Sequence, residues 1–296
     1  MNHQNKYVVV CLLAIATFLS VASFQPALAQ SAPSLGAAST FSVLGGQAVT
    51  CTDSIITGDV GVSPTPAFTN TACTIVGGTP PATDAAAALA RTAFLSAYNA
   101  LGLVPCSQTI SPAAFTGNVP ALGPLAPGVY CFPAGVTFTN TTLTLDGSTN
   151  PNGIWIFKVG AALTGSGFHV VMANGAQACN VFWSVGAAVT LSTSTLPPLF
   201  QGNILAGNAA GGSVTITGGS LIGRVLANVA ITMTGTNIHG SCALLAQGTA
   251  SCTVNDNDVD HHENEKDKDG DRDKDHEKDK DHEKDKDHEQ ERDHDR

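Results

Sequence analysis

Few side chains in this 296-residue sequence have the type and spacing that catalysis requires. Cleavage of a saccharide, for example, needs paired carboxylates, a bound calcium ion or basic groups at the broken bond. His169 and His239 have no acidic residue nearby in sequence, and no G-x-S-x-G motif is present. Residues 30–254 contain only four dispersed acids, Asp53, Asp59, Asp84 and Asp146. We therefore expect a protein that is not an enzyme, with no catalytic residue and no cofactor.

Charge is concentrated at the C-terminus. Of the 24 acidic and 14 basic residues, 20 and 10 respectively lie after Val254. The body, residues 30–254, keeps only Arg91, Lys158 and Arg224 as basic residues. Such a body has no basic patch for phosphates, so nucleic acid is not an expected partner. Its surface must consist of hydroxyls, amides and small apolar groups.

Hydroxyl groups are the polar groups that recur at regular spacing. Apolar and hydroxyl residues alternate in Val189–Ser192, Val214–Thr217 and Ile231–Thr234, and again in the sequence TTLTLD at 141–146. Alternate side chains of a strand point to opposite faces, so the hydroxyls are predicted to point outward in ranks. Threonine is common on any exposed strand, so alternation predicts an exposed face and leaves its ligand open. The candidate binding residues are Thr142, Thr144, Thr190, Ser192, Thr215, Thr217, Thr232 and Thr234.

The strands that carry these residues recur in a fixed order. Each of the three segments is followed by a second type of strand, in Gly202–Ala206, Gly223–Ala227 and Gly240–Leu244. Imperfect repeats of roughly 20 residues with two strand types indicate the coils of a mainly β solenoid. A β-sandwich also has evenly spaced short strands, but it does not explain the recurring order.

One segment is typical of an α-helix. It covers about residues 84–101, with Thr83 or Asp84 as the N-cap, and Gly102 is predicted to end it. At ~1.5 Å per residue this helix would be ~26 Å long, the height of five or six stacked strands. Because it carries little charge, we expect it to pack along the stack.

The N-terminal segment has the pattern of a secretory signal peptide. Residues 1–29 contain Lys6, an apolar run and the small-residue site Ala27-Leu28-Ala29. A membrane anchor is the alternative, but the apolar run is short for a bilayer core of ~30 Å. We expect cleavage after Ala29, a secreted, extracellular protein, and no membrane span after cleavage.

The C-terminal tail, residues 255–296, is predicted to be disordered. It repeats the hexapeptide Asp275–Lys280 identically at 281–286, and no apolar residue follows Val259. We expect the tail to keep a nearly uncharged body soluble. Loose contact of its carboxylates and six histidines with divalent metals, or with a charged cell-surface polymer, is the alternative.

Cysteine spacing agrees with an oxidising compartment. Without Cys11 there are seven cysteines, and separations of 22, 25 and 10 residues suggest three local disulfides with Cys179 left over. A zinc site is the alternative, but there is no C-x-x-C motif or nearby histidine pair, so no metal site is predicted. The predicted disulfides use Cys51 and Cys73, Cys106 and Cys131, and Cys242 and Cys252.

Seven motifs taken together resemble the microbial ice-binding protein family. In chain order they are LGAASTFSVL (35–44), TGDVGVSP (57–64), LAPGVY (125–130), GIWIFKVG (153–160), NGAQACNVFWSVG (174–186), FQGNILA (200–206) and GRVLA (223–227). The resemblance implies a discontinuous, right-handed β-solenoid of triangular cross-section with one long α-helix packed alongside. It also implies an antifreeze-type activity, in which a flat Thr/Ser-rich face binds ice and slows growth or recrystallisation.

The resemblance leaves one alternative function open, and the sequence contains one irregular coil. An adhesin of the same fold that binds polysaccharide or cells is the alternative, although few aromatic residues are available for sugar stacking. Extra residues around Pro197-Pro198 and at 208–212 lengthen one coil and could interrupt a flat face. We expect a monomer whose partner is the ice surface.

Overall fold

The structure, a computed structural model, describes residues 31–64, 67–78, 85–111, 114–117, 122–193 and 199–240. Within these ranges the chain forms one α-helix, α1 (Ala85–Leu103), and turns of 3-10 helix at Gly36–Thr40 and Ala178–Asn180. The predicted signal peptide and tail lie outside the described residues. The strands are β1 (Phe41–Gly45), β2 (Ala48–Thr52), β3 (Ile55–Thr57), β4 (Asp59–Val62), β5 (Ala67–Thr71), β6 (Thr74–Val76), β7 (Gln108–Thr109), β8 (Ala114–Thr116), β9 (Gly128–Phe132), β10 (Val136–Thr139), β11 (Thr142–Asp146), β12 (Trp155–Val159), β13 (Leu163–Ser166), β14 (His169–Ala173), β15 (Val181–Val185), β16 (Val189–Ser192), β17 (Leu199–Gln201), β18 (Asn203–Ala206), β19 (Val214–Thr217), β20 (Ser220–Ile222), β21 (Val225–Ala227), β22 (Ala230–Thr234) and β23 (Asn237–His239).

These strands form three faces of parallel sheet. Face A is an eight-stranded sheet with the order β4-β1-β21-β18-β15-β12-β9-β7, and face B is an eight-stranded sheet with the order β5-β2-β22-β19-β16-β13-β10-β8. Face C consists of a two-stranded sheet, β11-β14, and a five-stranded sheet, β17-β20-β23-β3-β6. Successive strands of the chain visit faces A, B and C in turn, so each coil has three sides. The body is therefore a β-solenoid, as predicted.

The coils do not stack in chain order. The first coil, β1–β3, is inserted between the last coil, β21–β23, and the second coil, β4–β6, as the pairs Val43–Val225 and Thr50–Thr232 show. Helix α1 then connects the second coil to β7 and β8, which pair with β9 and β10 at the opposite end of the sheets. The solenoid is therefore discontinuous.

Helix α1 covers the outer side of face A. Its buried residues recur every three or four positions, the period of one helical face: Ala87, Ala90, Phe94, Ala97 and Leu101. They pack against outward side chains of five strands, Leu44, Ile156, Phe182, Leu205 and Leu226. The part of face A that α1 covers is consequently buried on both sides.

The helix ends later than predicted. It continues through Gly102 to Leu103, because tertiary contacts satisfy the carbonyls of its last turn. The Nζ group of Lys158 donates hydrogen bonds to the carbonyl oxygens of Gly102 at 2.7 Å and Val104 at 2.8 Å. The predicted N-cap residues lie outside the described ranges.

Aromatic rings stacked from coil to coil fill part of the interior. The ring centroids of Tyr130 and Phe157 are 5.5 Å apart, and those of Phe157 and Trp183 are 4.1 Å apart. In a second column, Phe138 stacks on Phe168 at 4.2 Å. Gly165 leaves room for that column, since a Cβ there would lie 3.0 Å from the Cβ of Phe168. Such close packing fixes the position of one coil on the next.

The corner between faces B and C has the same geometry in most coils. One residue with positive φ follows the B strand in seven coils: Ala72, Asp53, Gly235, Gly218, Gly167, Asn140 and Gly117. Beyond it, the buried hydroxyls of Ser54, Thr141 and Thr236 donate to the carbonyl two residues back, at 2.7, 3.1 and 3.2 Å. Seven of the eight strands of face B therefore end in a similar turn.

Two of the predicted disulfides are confirmed, Cys51–Cys73 and Cys106–Cys131. The prediction that Cys179 is left over is wrong, because Cys179 is also disulfide-bonded. The prediction pairs cysteines with their nearest neighbours in sequence, a rule that gives Cys179 no partner. The predicted pair Cys242–Cys252 lies outside the described residues.

Candidate functional site

The outward side chains of face B form a grid of hydroxyl groups. Every B strand contributes at least two outward positions, and the strand register aligns two from each strand into two ranks of eight. The first rank reads, along the stack, Ala114, Thr137, Thr164, Thr190, Thr215, Thr232, Thr50 and Thr69. The second rank reads Thr116, Thr139, Ser166, Ser192, Thr217, Thr234, Thr52 and Thr71. We call these 16 positions the threonine grid; 13 are threonine, two are serine and one is alanine.

The grid has a regular spacing because its strands pair in continuous parallel register. Neighbours within a rank lie ~4.8 Å apart, and the two ranks lie ~6.8 Å apart. Eight strands therefore give a face ~34 Å long. The register shift between Phe41 and Val43 lies in face A, whereas the paired residues that the structure describes on face B follow one another without a shift.

The side chains beneath the grid hold it rigid. Between the two outward positions of the central strands lie Leu191, Ile216 and Met233, which are buried in the core. Threonine has a stiff χ1 angle, so the methyl and hydroxyl groups of the grid have few alternative positions. None of the 16 grid positions carries a charged or titratable side chain. The grid is therefore an uncharged array of methyl and hydroxyl groups, exposed at 12 positions and half-buried at Thr50, Thr52, Thr139 and Thr164.

Face C presents a less regular surface than face B. Its exposed side chains include Ile55, Val76 and Val171, which are 44%, 47% and 41% exposed, beside His169 and His239. Its two sheets are not joined into one ladder, and the side-chain amide of Gln201 donates to the carbonyl of Val170 where they meet. Mixed side chains and a broken ladder make face C unsuited to a flat periodic ligand.

Six of the eight predicted binding residues lie on the threonine grid. These are Thr190, Ser192, Thr215, Thr217, Thr232 and Thr234. Thr142 and Thr144 instead lie on β11 in face C, paired with His169 and Val171. The prediction that they share the surface of the other six is therefore wrong. The corner at Asn140, with φ of 49°, turns the chain from face B to face C before Thr142, although Leu143 and Leu145 point inward as expected.

Ten grid positions on β2, β5, β8, β10 and β13 were not among the predicted binding residues. The segments Val49–Thr52, Val136–Thr139 and Leu163–Ser166 show the same alternation and could have been found by it. The β5 and β8 strands give weaker signals, because they occupy the ends of the stack. The ten positions are Thr50, Thr52, Thr69, Thr71, Ala114, Thr116, Thr137, Thr139, Thr164 and Ser166.

The lengthened coil does not break the grid. The turn at 208–212 lies between β18 of face A and β19 of face B, and β19 keeps its register with β16 and β22. The hydrogen bond from Gly212 N–H to Asn208 O closes the turn at 2.8 Å. Residues 194–198, which include Pro197 and Pro198, lie outside the described ranges.

The acids and histidines of the described residues are not arranged as a catalytic or metal centre. Within these ranges, no group of three or more His, Cys, Asp and Glu side chains could hold a metal ion. Asp146 accepts hydrogen bonds from the side chain of Asn174 at 2.7 Å and from the backbone N–H of Ser148 at 2.9 Å, which hold its pKa below the ordinary value. These contacts shape a turn at the end of β11.

A concave site at the end of α1 is the main alternative to the grid. A cleft of about 430 Å³ there is lined by Tyr98, Lys158 and Ser184 among others. The ammonium group of Lys158 already binds the helix carbonyls, and burial raises the pKa of the Tyr98 phenol. The cleft therefore offers no ready acid, base or free cation, and the grid remains the candidate site.

Comparison with known proteins identifies the family. A profile of the ice-binding-like family matches residues 43–239. The chain belongs to the ice-binding-like family. An ice-binding protein from Nostoc sp. (strain HG1) is 37% identical over 244 residues, covering 81% of this chain and 84% of the relative. Another, from Flavobacterium frigoris (strain PS1), is 34% identical over 215 residues, covering 67% of this chain and 73% of that protein.

Solved structures place this member of the ice-binding-like family in the same fold group. The crystal structure of an ice-binding protein from the Antarctic ascomycete Antarctomyces psychrotrophicus superposes with a TM-score of 0.62. It is 26% identical in sequence, and the match covers 71% of this chain and 98% of that one.

Over the residues that the structure describes, none of the helices has the length and hydropathy of a membrane span.

Proposed function

We propose that this protein binds ice through the threonine grid of face B and slows the growth or recrystallisation of ice. The single observation that carries the proposal is the continuity of the grid, whose two ranks hold 15 hydroxyl residues at 16 positions in uninterrupted register. The names of the relatives, which are ice-binding proteins, agree with it.

The physical basis is the match between a rigid periodic surface and ordered water. Hydroxyl groups at fixed spacing anchor water molecules, while the methyl groups beside them limit disordered hydration. Because threonine has little χ1 freedom, docking costs little side-chain entropy. A water layer held in this way merges with a crystal surface, and the adsorbed protein then blocks the addition of further water.

Adsorption of this kind requires no chemical step, so we propose that the protein is not an enzyme. We also propose that it is secreted, monomeric and cleaved after Ala29. The signal-peptide pattern of residues 1–29 supports export, and so do the disulfides Cys51–Cys73 and Cys106–Cys131, because such bonds persist in oxidising compartments. Residues 255–296 serve in this proposal as a solvating tail.

Ice-crystal morphology with the purified full chain tests the proposal. Crystals grown slowly in the protein solution should become faceted, and annealed polycrystalline ice should keep its grain size. Unmodified, rounded crystal growth at high protein concentration would overturn the proposal. Binding to an insoluble polysaccharide in that case would favour the adhesin alternative.

A further inference from the structure

The last strand of the threonine grid has little packing to hold it in place. Strand β5 pairs with β2, and no other described strand lies on its far side. Its inward residues are only partly buried Phe68 and exposed Asn70, whereas Val49 and Cys51 beneath β2 are completely buried. An edge strand with so little core contact opens more easily than the strands inside the stack.

Contacts that compensate for this weak packing converge on Cys73, just after β5. Its sulfur is bonded to Cys51, whose side chain points inward from β2. The Asn70 amide accepts a hydrogen bond from Cys73 N–H at 2.8 Å and donates one to Cys73 O at 3.2 Å. The backbone N–H of Ser54 also points to the Cys73 sulfur at 3.3 Å. The end of β5 is thus tied to the strand and the corner next to it.

We infer that the Cys51–Cys73 disulfide is a positioning element of the binding face, holding β5 in register so that Thr69 and Thr71 extend both ranks of the grid. The inference rests on the proposed function. The second disulfide, Cys106–Cys131, also links neighbouring coils, but Cys131 lies on face A beneath α1. The two bonds close loops of similar length, with sequence separations of 22 and 25 residues. Cys106–Cys131 therefore provides a matched control.

The effect of losing β5 follows from the geometry of the grid. Each grid position covers ~33 Å², so Thr69 and Thr71 together contribute ~65 Å², about half of it apolar. Removal of this area should weaken adsorption about fourfold. The substitution Thr69→Tyr in the intact protein should weaken adsorption more, about 15-fold, because the ring also separates Thr71, Thr50 and Thr52 from the ice surface.

A double-mutant cycle in the full chain tests the inference. The variant Cys51→Val/Cys73→Ala removes the bond and keeps apolar volume in the core, and Thr69→Tyr is introduced with and without it. Inhibition of ice recrystallisation is measured against the concentration of folded protein. We expect a loss of about fourfold for the disulfide variant and little further loss when Thr69→Tyr is added. In the Cys106→Ala/Cys131→Val control, Thr69→Tyr should keep its full effect.

Three outcomes would overturn the inference while leaving the proposed function intact. In the first, the disulfide variant keeps wild-type activity. In the second, the activity losses of the disulfide variant and of Thr69→Tyr multiply as if the two changes were independent. In the third, the disulfide variant unfolds as a whole, which would show that the bond supports the whole body. Hydrogen exchange adds a readout that does not depend on ice, because loss of the bond should speed exchange in β5 and leave β19 and β22 unchanged. Failure of the wild-type protein to shape ice would refute the proposed function, and the exchange result would still test the role of the bond.

Discussion

Replacement of Thr215 by tyrosine perturbs the centre of the threonine grid most directly. Thr215 is exposed, and its grid neighbours are Thr190 and Thr232 in the same rank and Ser192, Thr217 and Thr234 across from them. A phenol ring standing above this level would separate six of the 16 positions from a flat ice surface. At ~33 Å² each, these positions cover ~200 Å².

The size of the expected loss follows from that area. If half of the ~200 Å² is apolar, separation costs about 2.5 kcal/mol at ~25 cal/mol per Å², or about 70-fold in adsorption. Thermal hysteresis and recrystallisation inhibition, measured as functions of protein concentration, report this loss. Circular dichroism should show an unchanged fold, because an outward residue is replaced and the core is untouched.

Thr142→Tyr is the matched control for Thr215→Tyr. Thr142 is also an exposed strand threonine, but it lies on face C. It should keep wild-type activity. Full activity of Thr215→Tyr, or an equal loss in both variants, would refute the assignment of face B.

Three further predictions concern the chemistry of the face and the stability of the body. Replacing Ser166 and Ser192 by threonine adds the two methyl groups that the second rank lacks. Each change should raise recrystallisation inhibition by up to about fourfold, since a buried methyl contributes about 0.8 kcal/mol. No gain in the double variant would count against the role of the methyl groups. Ice binding should vary by less than about twofold between pH 5 and 9, because the grid has no titratable side chain, and a sharp pH dependence would point to another face. Burial raises the pKa of the Tyr130 phenol, whose hydroxyl donates to Ala126 O at 2.6 Å, so the unfolded chain ionises first and stability should fall as pH rises above about 10. Calorimetry at rising pH should show this as a decrease in the melting temperature. If the melting temperature of the Tyr130→Phe variant decreases as much as that of the wild type, Tyr130 is excluded as the source.

Alternation within the strands was sufficient to predict which side chains point inward and which point outward. The period of two holds in every central strand of face B, so Leu191, Ile216 and Met233 could be assigned to the core and their neighbours to the surface. The same signal could not distinguish the faces. Thr142 and Thr144 alternate just as regularly, but the left-handed residue Asn140 turns them onto face C.

Long-range stacking leaves no mark in the local pattern of the sequence. No local pattern shows that Thr232 pairs with Thr50, because that contact depends on insertion of the first coil beside the last one. The helix end also depends on a distant residue, Lys158, which satisfies the carbonyls around Gly102. The family resemblance supplied the discontinuous stack, whereas the continuity of the grid became visible only with the register of the strands.

Partitioning into growing ice tests the central claim most directly. The full-length protein is frozen slowly onto a cold surface beside a bystander protein of similar size, together with two triple variants. One variant carries tyrosine at Thr190, Thr215 and Thr232 in the first rank of face B, and the other carries it at Thr142, Thr144 and Val171 on face C. The wild-type protein and the face C variant should be enriched in the ice, and the face B variant should be excluded with the bystander. Exclusion of the wild-type protein, or enrichment of the face B variant to the wild-type level, would contradict the claim that the threonine grid binds ice.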